Sequence, residues 1–204
     1  MTDHFQTIAN SAQAELREKA SRFMAHAEPI SSREQADLVL AKLRKKYYDA
    51  THHCYAFCLG VESEEIIRVH DDGEPAGTAG KPILQVIRGH GLTNLIVVVT
   101  RYFGGTKLGT GGLVRAYGDV TTLVLAQCRP VERFIEKMWR IHCGYEHSAL
   151  VMKWIEKFGA RIVASSYDTA VILDIAIRKS SGDELMKQLR DHSAGKIQMI
   201  ELAP

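Results

Sequence analysis

The clearest pattern of hydrophobic and polar positions lies in the middle of the chain. Leu95 to Val99 is a short, continuous and mostly β-branched apolar run, which predicts a buried strand. A loop with five glycines follows, at Gly104, Gly105, Gly109, Gly111 and Gly112. Beyond them, one helical face carries Leu113, Val114, Tyr117, Thr121, Val124 and Cys128. The sequence therefore predicts a strand, a glycine loop and a helix.

Upstream of this strand, the pattern predicts further strands around one helix. Residues 1–18 are polar and weakly helical, and we expect a loose lead-in or a short edge element there. Ser31 to Glu34 matches a capping box, in which both side chains accept from free N–H groups at a helix start. The predicted elements are a strand at 19–27, a helix from Ser31 to Tyr47, a strand at 52–59, a loop around 60–64 and a partner strand at 65–70.

A second loop joins the partner strand to another helix. Three acids, three glycines and two prolines fall between Asp71 and Pro82, and such residues favour a structured loop over a regular ladder. Pro82 suits the first turn of a helix, and Gly89 and Gly91 end it.

The pattern resets near Pro130. It predicts a strand at 135–143, a helix at 147–158, strands at 161–166 and 171–177, a helix opened by a capping box at Ser181 to Glu184, and a strand at 197–202. This βαββαβ order is that of the ferredoxin-like plait. We therefore expect an α+β protein of two domains, residues 1–130 and 131–204.

Composition narrows the class of protein only slightly. The net charge is +2, with 46% hydrophobic and 25% charged residues, which is ordinary for a globular protein. Neither side of Pro130 carries a basic excess, so any nucleic-acid contact requires a local patch. The four cysteines show no CxxC spacing, the N-terminus has no apolar core, and no apolar run is long enough to span a membrane. We expect a cytoplasmic protein with free thiols and no membrane association.

The glycine loop has two interpretations. Glycines let a backbone approach a ligand closely, and the following helix offers free N–H groups to an anion. Lys107 and Arg115 lie near in sequence and would add positive charge. The alternative is a tight turn that needs glycine for its geometry alone. Neither the P-loop pattern nor GxGxxG is present, so spacing leaves both interpretations open.

The sequence gives weaker support for metal binding or catalysis by other residues. Asp71, Asp72 and Glu74 are candidates for Mg²⁺ binding or acid–base work, but turn formation, or pairing with a nearby cation, explains them more simply. Cys54 and Cys58 lie roughly 13 Å apart on an extended strand, which disfavours a shared metal ion. His53 and Cys54 point to opposite faces of that strand, so they do not form a nucleophile–base pair.

Three stretches together resemble the YigZ/IMPACT family. They are His52 to Cys54, the loop Asp71 to Pro82, and Val97 to Tyr117 with its glycines. The segment Lys19 to Phe23 is also similar to that family's first strand, so the resemblance spans nearly the whole chain.

The resemblance implies a particular fold and a role in translation. It implies an N-terminal α+β domain like domain IV of elongation factor G, with a left-handed βαβ crossover, and a C-terminal plait like that factor's last domain. Eukaryotic relatives regulate translation by restraining a nutrient-sensing kinase, partly through an additional N-terminal domain for which we expect no room here. The wider superfamily also includes small-molecule kinases whose phosphate-binding loop is similar to Leu108–Leu113.

Two principal hypotheses follow. The first is a non-enzymatic, translation-associated regulator that binds RNA or the ribosome. The second is an enzyme or sensor that binds a phosphorylated small molecule or nucleotide at the glycine loop, with Mg²⁺ as an optional cofactor. A protein-binding module built on the plait is a third possibility, and the sequence leaves the oligomeric state open. The candidate binding residues are Asp71, Asp72, Glu74, Lys81, Arg101, Gly104, Gly105, Lys107, Gly109, Gly111, Gly112 and Arg115.

Overall fold

A computed structural model describes residues 3–61 and 65–202 of the 204-residue chain. The loop predicted at 60–64 therefore lies largely outside the described residues. The chain divides into two compact units, one formed by Phe5–Arg133 and the other by the residues from Phe134 onward together with Asp3 and His4. None of the helices in these described ranges is long and apolar enough to cross a membrane.

Both units contain helices and strands. In chain order they are β1 (His4–Ile8), β2 (Ala12–Glu18), β3 (Ser21–Pro29), α1 (Arg33–Lys46), β4 (His52–Leu59), β5 (Ile66–His70), α2 (Gly80–Gly89), β6 (Leu95–Tyr102), α3 (Gly109–Leu125), β7 (Pro130–Phe134), β8 (Glu136–Cys143), α4 (Tyr145–Lys157), β9 (Arg161–Tyr167), β10 (Val171–Arg178), α5 (Lys179–His192) and β11 (Gln198–Leu202).

The N-terminal unit has three layers around a five-stranded sheet. The strand order is β2-β3-β6-β4-β5, and all neighbours are antiparallel. Cys54, Ala56 and Cys58 pack with α2 and α3 on one face, as the period of two predicts. Tyr55 and Phe57 pack with α1 on the other face. Since both faces are covered, the central strands β4 and β6 carry continuous apolar runs.

The N-terminal segment decides between two expectations. Residues 3–18 contain two strands, β1 and β2, so the expectation of a short edge element is confirmed and that of a loose lead-in is wrong. β2 is the edge strand of the five-stranded sheet, so few of its side chains reach the core and its apolar pattern is weak. β1 pairs with β7 in a separate two-stranded sheet. Lys19 and Ala20, predicted as strand, instead have positive φ angles and form the turn into β3.

Two helices begin at positions other than those predicted. Ser32, not Ser31, caps α1, and its hydroxyl accepts from the N–H of Gln35. α5 begins at Lys179, so Ser181 lies inside its first turn and provides no cap. By contrast, α2 begins at Gly80, which places Pro82 in its first turn as predicted.

The C-terminal unit is a ferredoxin-like plait. Its strand order, β11-β8-β10-β9, places the fourth, first, third and second strands side by side, with every pair antiparallel. α4 and α5 cover one face through a core that includes Ile141, Val151, Leu173, Ile175 and Leu189. The predicted α+β class with a C-terminal plait is therefore confirmed.

Candidate functional site

Two glycine-containing loops meet because of the strand directions in the N-terminal sheet. In chain order, the first loop is residues 71–79, between β5 and α2, and the second loop is residues 103–108, between β6 and α3. β5 and β6 are both antiparallel to β4, so they run the same way and end at the same edge. Each is followed by a loop and by a helix, α2 or α3, that packs on the same face. The first residues of β3 and β4, Ser21 and His52, also lie at this edge. The fold thus brings together segments far apart in sequence.

Asp71 closes the first loop. Its Oδ2 accepts from the N–H of Gly77 at 2.7 Å, and its Oδ1 accepts from Ala79 at 3.0 Å and Gly80 at 2.8 Å. Partial burial raises the pKa of this carboxyl, but the three backbone N–H groups together lower it below its usual value. Asp71 therefore caps the start of α2, and both of its oxygens are already used by the protein.

Replacing Asp71 by asparagine is expected to lower the free energy of unfolding at neutral pH by about 2 kcal/mol, because charge-assisted hydrogen bonds are lost. The folded pKa is depressed, so this stabilisation is present above the unfolded pKa of about 3.9 and lost as pH falls through the folded pKa. Urea unfolding at several pH values should show the gap between wild type and variant closing in acid. A gap independent of pH would contradict this role, and Asp37→Asn on the exposed face of α1 is the matched control.

Asp72 joins the first loop to α1 and β4. Its Oδ2 accepts from the N–H of His53 at 2.7 Å, and its Oδ1 accepts from Arg44 Nη2 at 3.0 Å. Its carbonyl oxygen accepts from His52 Nδ1 at 2.8 Å. Asp72 thus anchors the loop and pairs with Arg44 in the last turn of α1.

Glu74 is the centre of a buried polar network. Glu74 and Arg101 are 8% and 4% exposed, and Arg101 Nη1 donates to Glu74 Oε1 at 2.6 Å. The Tyr117 hydroxyl donates to the same oxygen at 2.7 Å, and His52 Nε2 lies 3.9 Å from it. Arg101 Nη2 donates to the Ser21 hydroxyl at 3.3 Å. One carboxylate therefore ties α3, β6 and the first loop together.

Two groups near this carboxylate, Tyr117 and Cys54, stay protonated at neutral pH. Burial raises the pKa of Tyr117 and of Cys54 far above neutral pH, and the nearby acids raise them further. Cys54 Sγ lies 2.9 Å from the carbonyl oxygen of Asp71 and 3.3 Å from the Tyr117 hydroxyl. A thiol in this state is a poor nucleophile, because the thiolate is the reactive form.

A pocket of about 320 Å³ opens above the network, between the two loops. The first loop contributes Glu74 and Pro75, and α3 contributes its first turns. The complete lining is Glu74, Pro75, Arg101, Phe103, Lys107, Leu108, Gly109, Thr110 and Leu113. The walls are mostly apolar, with charged groups at a few positions, as is common for ligand sites.

Two glycines have identifiable geometric roles. Gly104 packs directly against the β2–β3 turn, and a Cβ there would overlap the backbone of Ala20. Gly109 begins α3 with a φ of +73°, in the left-handed region that favours glycine. Gly105, Gly111 and Gly112 complete the loop and the first turn of α3. The loop is therefore both a close-packed turn and the rim of a pocket.

The predicted cations lie in different places. Lys107 is exposed at the pocket rim. Arg115 lines a second cavity of about 410 Å³ together with Gly112, Lys19 and the acids Glu18 and Asp119, and Leu108 lines both cavities. Lys81 is exposed beside Gly77 and lines neither cavity. Of the candidate residues, the pocket brings together Glu74, Arg101, Lys107 and Gly109, whereas Asp71, Asp72, Lys81, Gly104, Gly105 and Gly111 stand outside both cavities.

The described residues contain no group of three or more His, Cys, Asp or Glu side chains arranged to hold a metal ion. Cys54 and Cys58 are buried in the core, where burial raises the pKa of Cys58 to about 11. A magnesium ion at Asp71 would have to displace the N–H groups that the carboxylate already binds.

The sequence does not reveal the roles of several residues in the site. Phe103 is an exposed aromatic at the pocket wall, and Ser21 and Tyr117 complete the buried network. Tyr117 is predictable as part of an apolar helix face, but its hydroxyl partner lies 43 residues away. Only the tertiary fold reveals such pairs.

The fold and the site together define the class of protein. It is an α+β protein of two units, in which the buried network around Glu74 and Arg101 supports a pocket between two loops. The model of the Impact N-terminal domain matches residues 19–125, and a domain of unknown function (DUF1949) matches residues 141–196. An IMPACT family member of Haemophilus influenzae is 33% identical over 187 residues, covering 90% of this chain and 91% of that protein. The chain belongs to the IMPACT family.

Other relatives agree with this assignment. The IMPACT family member YigZ of Escherichia coli is 33% identical over 185 residues, covering 90% of this chain and 91% of its own. A crystal structure of a hypothetical protein has a TM-score of 0.76 at 30% identity and covers 100% of this chain and 99% of that chain. Protein IMPACT of Mus musculus is 40% identical over 96 residues, which is 45% of this chain and 30% of the mouse protein.

Proposed function

We propose that this IMPACT family member is a cytoplasmic, non-enzymatic regulator of translation that binds RNA, free or in the ribosome, at the start of α3. The observation that carries the proposal is the open N-terminus of this helix beside exposed cations. Among the residues that the structure describes, no side chain caps it, and its first turn contains no acid. By contrast, Ser32 caps α1 and Asp71 caps α2 in the same unit.

The charges around α3 suit a phosphate backbone. The free N–H groups of the first turn and the helix dipole favour an anion. Lys107 lies on one side of the helix start, and Arg115 and Lys19 lie on the other. These side chains are exposed. Two exposed acids, Glu18 and Asp119, line the same cavity as Arg115 and Lys19 and balance their charge, so the local excess of positive charge beside the helix start comes from Lys107 together with the helix dipole. This local excess, rather than the net charge of +2, supports RNA contact.

The buried network supports binding rather than catalysis. Glu74 accepts from Arg101 and Tyr117, and both oxygens of Asp71 accept from backbone N–H groups. These acids hold the two loops in place, and the Cys54 thiol beside them stays protonated. Their chemistry fits a rigid support for a binding surface.

Lys107→Ala and Arg115→Ala are each expected to weaken binding of a short RNA and to reduce the salt slope by about 1, because each removes one phosphate contact. Fluorescence anisotropy of the full-length protein across a salt series measures both quantities. Lys153→Ala, at an exposed position on α4, is the matched control and should bind as wild type does.

Sedimentation of cell extract tests the ribosome directly. We expect the protein in ribosomal fractions at low salt and its release at high salt, since phosphate contacts are screened. Absence from ribosomal and RNA fractions at both salt concentrations, with no RNA binding by the purified protein, would overturn the proposed function.

A further inference from the structure

We infer that the pocket between the two loops binds one nucleotide unit, with its base against Phe103 and its phosphate at the start of α3. The unit is either an unstacked residue of single-stranded RNA or a free mononucleotide. For the RNA source, the inference rests on the proposed function and assigns the ligand of the same site.

The apolar side of the pocket suits a base. Phe103 is 45% exposed although it is a large aromatic side chain beside a pocket. Arg101 Cζ lies 5.5 Å from its ring centroid, so the guanidinium supports the ring while much of the ring remains accessible. Pro75, Leu108 and Leu113 form the remaining apolar wall. Aromatic side chains in such positions stack on unpaired bases.

The polar side suits a phosphate. Lys107, Gly109 and Thr110 line the pocket at the uncapped start of α3, where N–H groups are free to bind an anion. Arg101 also lines the pocket and adds positive charge to it; it is 4% exposed, its Nη atoms donate to Glu74 and Ser21, and its buried Nε has no hydrogen-bond partner among the described residues. The lining carries two cations, Arg101 and Lys107, against one acid, Glu74.

The volume of the pocket limits the size of the ligand. At about 320 Å³ the pocket lies near the lower end of the range for small-molecule sites. It holds one base with its phosphate, whereas neighbouring nucleotides would pass over the exposed rim. A paired base cannot enter without leaving its helix, so we expect a preference for single strands over duplexes.

The test uses the full-length protein with a short single-stranded RNA, the matching duplex, and adenosine 5′-monophosphate. Phe103→Leu keeps an apolar side chain at a half-exposed position and is expected to weaken single-strand binding by about tenfold, with duplex binding within about twofold. Phe103→Tyr restores the ring and should restore single-strand binding. Adenosine 5′-monophosphate should compete with the single strand in the wild type, and circular dichroism checks that each variant is folded.

The outcomes separate the two proposals. RNA binding that is equal for single strand and duplex and is unchanged in Phe103→Leu would overturn the nucleotide pocket and leave the proposed function standing. Binding of adenosine 5′-monophosphate that depends on Phe103, without RNA binding, would support the pocket for a free nucleotide and overturn the RNA function. Binding of none of the three probes would overturn both.

Discussion

Replacing Glu74 by alanine is expected to lower the free energy of unfolding of the N-terminal unit by about 3–5 kcal/mol. The variant leaves the Arg101 guanidinium buried without its carboxylate and removes the acceptor of the Tyr117 hydroxyl. Both groups have been taken out of water, and an unpaired buried charge is far more unfavourable than the pair is favourable.

Two probes report the stability of the two units separately. Hydrogen exchange of the β6 amides reports the stability of the N-terminal unit, because these buried strand amides open only on large-scale unfolding. Both tryptophans, Trp139 and Trp154, belong to the C-terminal unit, so their fluorescence in urea reports that unit and should not change.

Paired variants give the matched comparison. Glu74→Leu combined with Arg101→Met removes both charges and should recover much of the stability lost in Glu74→Ala, since no charge is left uncompensated. Asp37→Ala, at an exposed position on α1, should stay within about 0.5 kcal/mol of wild type. A loss below about 1 kcal/mol in Glu74→Ala would show that the network is not a structural support.

Strands that bury both faces are predictable from the sequence, whereas edge strands are predicted unevenly. The edge strands β5, β9 and β11 match their predicted positions, but β1 and β2 are not distinguished from a loose segment. β4 and β6 lie in the interior of the sheet with both faces covered, so their apolar runs identify them. The plait is likewise evident in the alternating pattern of its central strands. β1 and β2 lie at sheet edges, where polar residues are tolerated, and their sequence resembles a loose segment.

The candidate site is predictable as two loops but not as a network. Their acids and glycines stand out because they break regular structure. The role of each acid depends on long-range contacts. Asp71 caps a helix, Asp72 binds α1 and β4, and only Glu74 of the three lines the pocket. The Arg101 to Ser21 contact spans 80 residues, which no local motif encodes.

Replacing Gly104 by alanine is expected to destabilise the N-terminal unit by about 2–3 kcal/mol, the upper range for overpacking. A Cβ at this position would overlap backbone atoms of Ala20, and backbone yields less readily than the end of a flexible side chain. The turn cannot easily move away, because Lys19 and Ala20 already hold positive φ angles there. Displacing it would also disturb Ser21, whose hydroxyl accepts from Gly104 and from Arg101.

Gly111→Ala is the matched control within the same loop-to-helix segment. An added Cβ there meets no atom within 4 Å, and the residue lies in the first turn of α3. Alanine favours helix over glycine, so this variant should be stabilised by up to about 1 kcal/mol. Hydrogen exchange of the β6 amides measures the change in the free energy of unfolding for both variants. A decrease in Gly104→Ala and an increase in Gly111→Ala would show that Gly104 is needed for close packing, whereas Gly111 is not. Equal effects would mean that the turn and the loop yield together, and that Gly104 does not fix the position of Ser21.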